Sequence, residues 1–164
     1  MNEVLLDAIR HNNWATERLV AFCRELGLSD EQLTTPGVGT FGGVLATLNH
    51  LVGSDTSYLG ALLGVARPEA EDTDLKGLAL RAAETEKLWE ELLSQPIDVE
   101  RILVVDDGAN EVRVGIFIAQ ALNHANAHRE QVCSILSGLG VEPPDLQAWE
   151  YAWATGRIWE RTSR

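Results

Sequence analysis

The chain has 164 residues, the size of one ordinary domain, and its 45% apolar and 23% charged content is that of a globular protein rather than a disordered one. Thirteen basic residues against 25 acidic ones leave a formal net charge of −12, which argues against nucleic acid and anionic membrane surfaces as partners. No uncharged apolar run approaches the roughly 20 residues needed to cross a bilayer.

The N-terminal MNEVLLDAIRHNN lacks the basic start, apolar middle and small-residue cleavage site of a secretory signal. Instead, helical spacing runs from Asn2 to about Leu26. Leu5, Ala8, Ile9, Ala15, Leu19, Phe22, Cys23 and Leu26 make one apolar stripe, and Gly27 is its stop. A loop with Ser29, Thr34, Thr35, Pro36, Gly37 and Gly39 follows. Thr40 is placed to N-cap a second helix from about Phe41 to Gly64, whose Leu/Val face runs through Val44, Leu45, Leu48, Leu51, Val52, Leu59, Leu62 and Leu63. Ala66 to Thr73 reads as a polar connection. Asp74 then caps a third helix from Leu75 to about Leu93, with Leu78, Ala82, Leu88, Trp89 and Leu92 as core candidates and Pro96 closing it.

A different texture comes next. Ile102-Leu103-Val104-Val105 and Val112-Arg113-Val114 flank an Asp-Gly turn and predict a short β-hairpin. A fourth long helix spans about Gly115 to Ser137 and ends at Gly138-Leu139-Gly140. After Pro143-Pro144, Asp145 is placed to cap a short final helix carrying Trp149 and Trp153. The pattern predicts one all-α domain over residues 1–164, a four-helix bundle with a β-hairpin insertion and a small C-terminal helix. Cys23 and Cys133 stand far apart and form no CxxC pair, so a reducing cytoplasm is the expected location.

Among the four histidines, His124 and His128 lie four apart on the fourth helix. At about 100° per residue they sit about 40° apart around the axis, one turn above the other, and can share one divalent ion. Phe117, Ala121, His124, His128, Gln131 and Ile135 follow at three- and four-residue steps, so the imidazoles point to the bundle interior or its edge and need a hydrogen-bond partner or a metal there. A metal site needs a third ligand. His50 is the candidate, because its helical-wheel neighbours Gly43, Ala46, Thr47, Ser54, Ser57 and Ala61 are small and leave room for a pocket. The competing reading is a pair of satisfied core histidines or a surface accident. His11 reads as a helix-surface residue rather than a ligand, and Asn12 as a buried amide that orients a ligand or contacts substrate. Cys133 points away from the histidine face, and Trp149 and Trp153 read as a packing pair or a subunit contact.

These residues resemble the DinB/YfiT-like family. The similarity lies in His11-Asn12-Asn13-Trp14-Ala15, in Thr40-Phe41-Gly42 before the second helix, in Leu48-Asn49-His50-Leu51, and in Asn123-His124-Ala125-Asn126-Ala127-His128-Arg129-Glu130-Gln131 beside that family's HxxxHRxQ signature. Leu139-Gly140 and Pro143-Pro144-Asp145 resemble its usual exit from the helix. Glu130 stands where glycine is common and faces away from the histidines on the wheel. The resemblance implies an up-down-down-up four-helix bundle, often a homodimer, with a divalent metal on His50, His124 and His128. It also implies relatives that are metal-dependent S-transferases or isomerases using a low-molecular-weight thiol.

Three neutral imidazoles leave a divalent ion its full charge and an open coordination position, the pattern of catalytic sites. Zinc, nickel or iron all suit such ligands. Asn12 and Gln131 are the candidates to hold a ligating imidazole from behind or to touch substrate. The expected activity is S-transfer from a small thiol to a small-molecule substrate. A metal-dependent hydrolase, a non-catalytic metal- or ligand-binding bundle, and an interaction module built on the tryptophan-rich C-terminus are the alternatives.

Overall fold

A computed structural model describes residues 3–65, 72 and 74–161. Asn2 and most of the predicted 66–73 connection lie outside the described residues. The helices are α1 (Glu3–Leu26), α2 (Asp30–Thr34), α3 (Val44–Leu63), α4 (Leu75–Leu93), α5 (Val114–Gly138) and α6 (Ala148–Ala154). Strands β1 (Ile102–Val105) and β2 (Asn110–Arg113) pair antiparallel between α4 and α5.

The directions of the four long helices follow from which residues meet. Arg10 near the start of α1 pairs with Glu90 near the end of α4 at 2.7 Å, so these two are antiparallel. Asn49 meets Arg81 at 2.8 Å and Asp55 meets Trp89 at 3.0 Å, so α3 and α4 advance together. His50 faces His124, and Tyr58 faces Phe117, which makes α3 and α5 antiparallel. Ile9 and Ile118 share one apolar cluster and Cys23 and Leu136 the other, so α1 and α5 are parallel. The order is therefore up-down-down-up, with α1 and α3 each packed on both α4 and α5.

Two apolar clusters fill the bundle. One holds Leu19, Cys23, Leu48, Leu51, Leu78, Val132 and Leu136; the other holds Ile9, Leu59, Trp89, Ile118 and Leu103 of the hairpin, which closes that end. Between them runs a polar band in which Asn12, Asn13, Thr16, Thr85 and Arg129 are all buried. Arg129 Nη1 donates to Asn12 Oδ1 at 2.8 Å and to Thr16 Oγ1 at 3.0 Å, joining α5 to α1. Burial draws the Arg129 pKa down to about 10, and Asp55 opposes that fall, so the guanidinium keeps its charge at neutral pH.

Several local expectations change. The segment after Gly27 contains α2, started by a capping box in which Ser29 and Gln32 satisfy each other's backbone N–H. Thr40 does not cap α3. Its hydroxyl is used within the loop, against the carbonyls of Gly37 and Gly42, and the helix starts at Val44 with Gly43 as its N-cap. Asp74 does cap α4, accepting from Gly77 N at 2.8 Å. The hairpin turn is longer than an Asp-Gly pair: Val105 opposes Asn110, and Asp106, Asp107 and Gly108 take positive φ in between. Asp145 accepts from Gln147 N ahead of α6 rather than capping it. Leu26 and Leu63, placed in the core by periodicity, are exposed at the helix ends.

The C-terminal segment docks differently from its aromatic spacing. Tyr151 is buried, whereas Trp149 and Trp153 stand 69% and 50% exposed, because the middle residue of that i,i+4 pair takes the opposite face. Tyr151 packs against Trp14 and His11 at 5.6 and 5.7 Å. His11 is not a surface residue: half-buried, its Nε2 donates to Leu146 O at 2.8 Å and ties the segment to α1. No helix among the described residues is long and apolar enough to cross a membrane.

Candidate metal centre

The α3–α5 seam brings His50, His124 and His128 together, with one ligand atom of each lying within 4.8 Å of the others. His50 Nε2 stands 3.1 Å from His124 Nε2. Two nitrogens at about 2.0–2.1 Å from one tetrahedral ion stand about 3.3–3.4 Å apart, so this pair fits a shared zinc-sized ion with little movement. The ring centroids are 4.4–4.9 Å apart, close enough to repel if protonated. Burial, reinforced by the charge of His128, lowers the His50 pKa. Burial and both neighbouring imidazoles push His124 down to about 4. Those two rings are therefore neutral at pH 7, the state in which imidazole is a ligand.

His128 is oriented from behind. Its Nδ1 lies 2.9 Å from Gln131 Oε1, an acceptor, so Nδ1 is the donor of this bond. The same Gln131 oxygen accepts from the Phe41 backbone N–H at 3.1 Å. Phe41 then lays its ring on His50, with centroids 4.1 Å apart and planes 12° from parallel, and meets His128 edge-on at 5.9 Å. Tyr58 closes the His124 side edge-on at 5.9 Å.

Asn12 lies away from the three imidazole contacts described above. Its amide oxygen accepts from Arg129 rather than from an imidazole, inside the polar band. Cys133 is half-buried, and burial raises its thiol pKa to about 11, which leaves it protonated and unreactive at neutral pH.

Beside the histidines a cleft of about 640 Å³ opens over the small-residue face of α3, lined among others by Phe41, His50, Gly53, Ser54, Ser57 and Tyr58. The predicted roominess around His50 is thus a real concavity, large enough for a small organic molecule. Asn49 in its wall is already committed, bonding Asp72 through both amide atoms and accepting from Arg81.

Two residues escaped assignment from sequence. Arg129 continues the buried row Ala125, Arg129, Val132, Leu136, and that spacing is its signal in the sequence. Phe41 lies in the loop ahead of α3 rather than at the start of that helix, and nothing local in the sequence links it to Gln131. Comparison with curated protein sequences gives no match, whereas a family model described as DinB family matches residues 1–162.

Proposed function

The chain belongs to the DinB family, and from that premise we propose that it is a metal-dependent enzyme joining the sulfur of a low-molecular-weight thiol to a small electrophile, the S–H proton and the electrophile's leaving group being released as the new bond to sulfur forms. The observation that carries the metal reading is the convergence of His50, His124 and His128 from two antiparallel helices. The reaction class rests on the family resemblance. A divalent ion there supplies a positive charge that lets a thiol or water lose its proton near neutral pH.

The chain's own residues do the rest. His50 and His124 stay unprotonated at working pH and so stay available as ligands. Gln131 fixes the tautomer of His128. Phe41 stacks on the His50 ring and Tyr58 meets the His124 ring edge-on. The cleft receives the substrate against Gly53, Ser54 and Ser57, whose two hydroxyls line it.

The test loads the protein with cobalt(II) as a visible substitute ion, then adds small thiols and, separately, electrophiles. S-transfer predicts a new sulfur-to-cobalt absorption band with thiol, followed by loss of free thiol when an electrophile such as a haloarene is added. A cobalt spectrum indifferent to every thiol, with hydrolysis of an ester or amide instead, would replace this reading by the hydrolase one.

A further inference from the structure

Phe41 is an exposed apolar side chain held in place. The residue is 57% exposed, a position that costs hydration free energy, yet the loop around it is braced. The Thr40 hydroxyl spans the Gly37 and Gly42 carbonyls at 3.0 and 2.9 Å, and the Phe41 amide donates to Gln131, the residue that also orients His128. The ring lies face to face on His50 and edge-on to His128. One loop residue therefore touches two of the three imidazoles and shares an oxygen with the support of one of them.

We infer that Phe41 is the cover of the metal centre, a positioning residue that holds His50 in its ligating orientation and slows exchange of the ion with solution. Release of an ion held there would need an imidazole such as His50 to turn away and water to reach the vacated position. A ring stacked on His50 opposes both events, since it blocks rotation about the imidazole's side-chain bonds and occupies the space from which water would enter. Apolar groups around a metal govern solvent access in this way. The inference rests on the metal reading above and adds the control of access to it.

The experiment measures release rather than activity. Wild type, Phe41→Ala and Phe41→Tyr are loaded with one equivalent of cobalt(II) and challenged with excess EDTA, and the decay of the cobalt absorption is followed. Phe41→Ala is expected to start from the same spectrum, because no ligand is lost, and to release cobalt about tenfold faster or more, the usual scale of effects from groups behind the ligands. Phe41→Tyr keeps the stacked ring and should retain the slow release; melting temperatures, measured in parallel, should not track the rates. Equal rates for wild type and Phe41→Ala overturn the cover while leaving the metal site intact. Fast release from Phe41→Tyr overturns it too, since the ring would not be the cause. A wild type that takes up no cobalt overturns both this inference and the proposed function.

Discussion

Asn13 is only 5% exposed, and neither its amide nitrogen nor its amide oxygen has a hydrogen-bond partner among the described residues. A buried amide without hydrogen bonds costs about 1–3 kcal/mol in proteins, whereas an apolar group of the same shape costs nothing of that kind. Asn13→Leu is therefore expected to raise stability by about 1–2 kcal/mol in urea unfolding; a loss of stability would mean that the amide is paired in solution. Asp55 lies in the same band. Its carboxyl is pushed up from 3.8 to about 6, mainly by burial, against the opposing pull of the Trp89 N–H and of Arg129. A folded-state pKa above the unfolded one means that the folded chain holds the proton longer. The resulting stability is full below about pH 4 and is lost as pH rises through about 6. Asp55→Asn imitates the protonated acid, so the variant should match wild type near pH 4. Between pH 4 and pH 7 it should gain on wild type by about 2–3 kcal/mol. Parallel urea curves at the two pH values check this, and a gap that does not change with pH contradicts it.

At the scale of elements, helix and hairpin placement was legible because long amphipathic segments announce themselves by period, and because Asp74 and Gly27 mark their ends. What was not legible depends on distant partners. The five-residue α2 is too short to show a period, and its capping box was the one available signal. The buried stripe of α5 sits one residue from the one that includes the histidines: Ile118, Ala125, Arg129 and Val132 face inward, while His124 and His128 occupy the edge against α3. That one-residue rotation, about 100°, separates a core from a seam. His50 was found because it falls off the Leu/Val face of its helix; Phe41 was not, because only the folded loop carries it to Gln131. The same loop approaches α2 closely. A Cβ on Gly43 would stand 2.6 Å from the Leu33 carbonyl oxygen and 2.6 Å from the Thr34 carbonyl carbon, both backbone. Gly43→Ala should thus push α2 away from α3 and lower stability by about 1–3 kcal/mol, the range for overpacking, with a matching drop in melting temperature. An unchanged melting temperature would show that the α2–α3 junction yields freely.

For the whole molecule, the up-down-down-up order is what makes the centre. It sets α3 antiparallel beside α5, so that His50 meets the pair on the facing helix, while the polar band built on Arg129 fixes α5 against α1 one residue from His128. A net charge of −12 gives the protein a field that attracts a divalent cation and resists anions. All of this turns on whether three imidazoles bind one ion. The decisive measurement is metal content by mass spectrometry on untagged protein dialysed against zinc, nickel or iron(II), with His50→Ala, His124→Ala and His128→Ala treated alongside. Near-stoichiometric metal in the wild type, lost in each variant while the helical circular dichroism is kept, is the predicted result. A wild type that takes up none of these ions, or variants that hold as much metal as the wild type, would contradict the account.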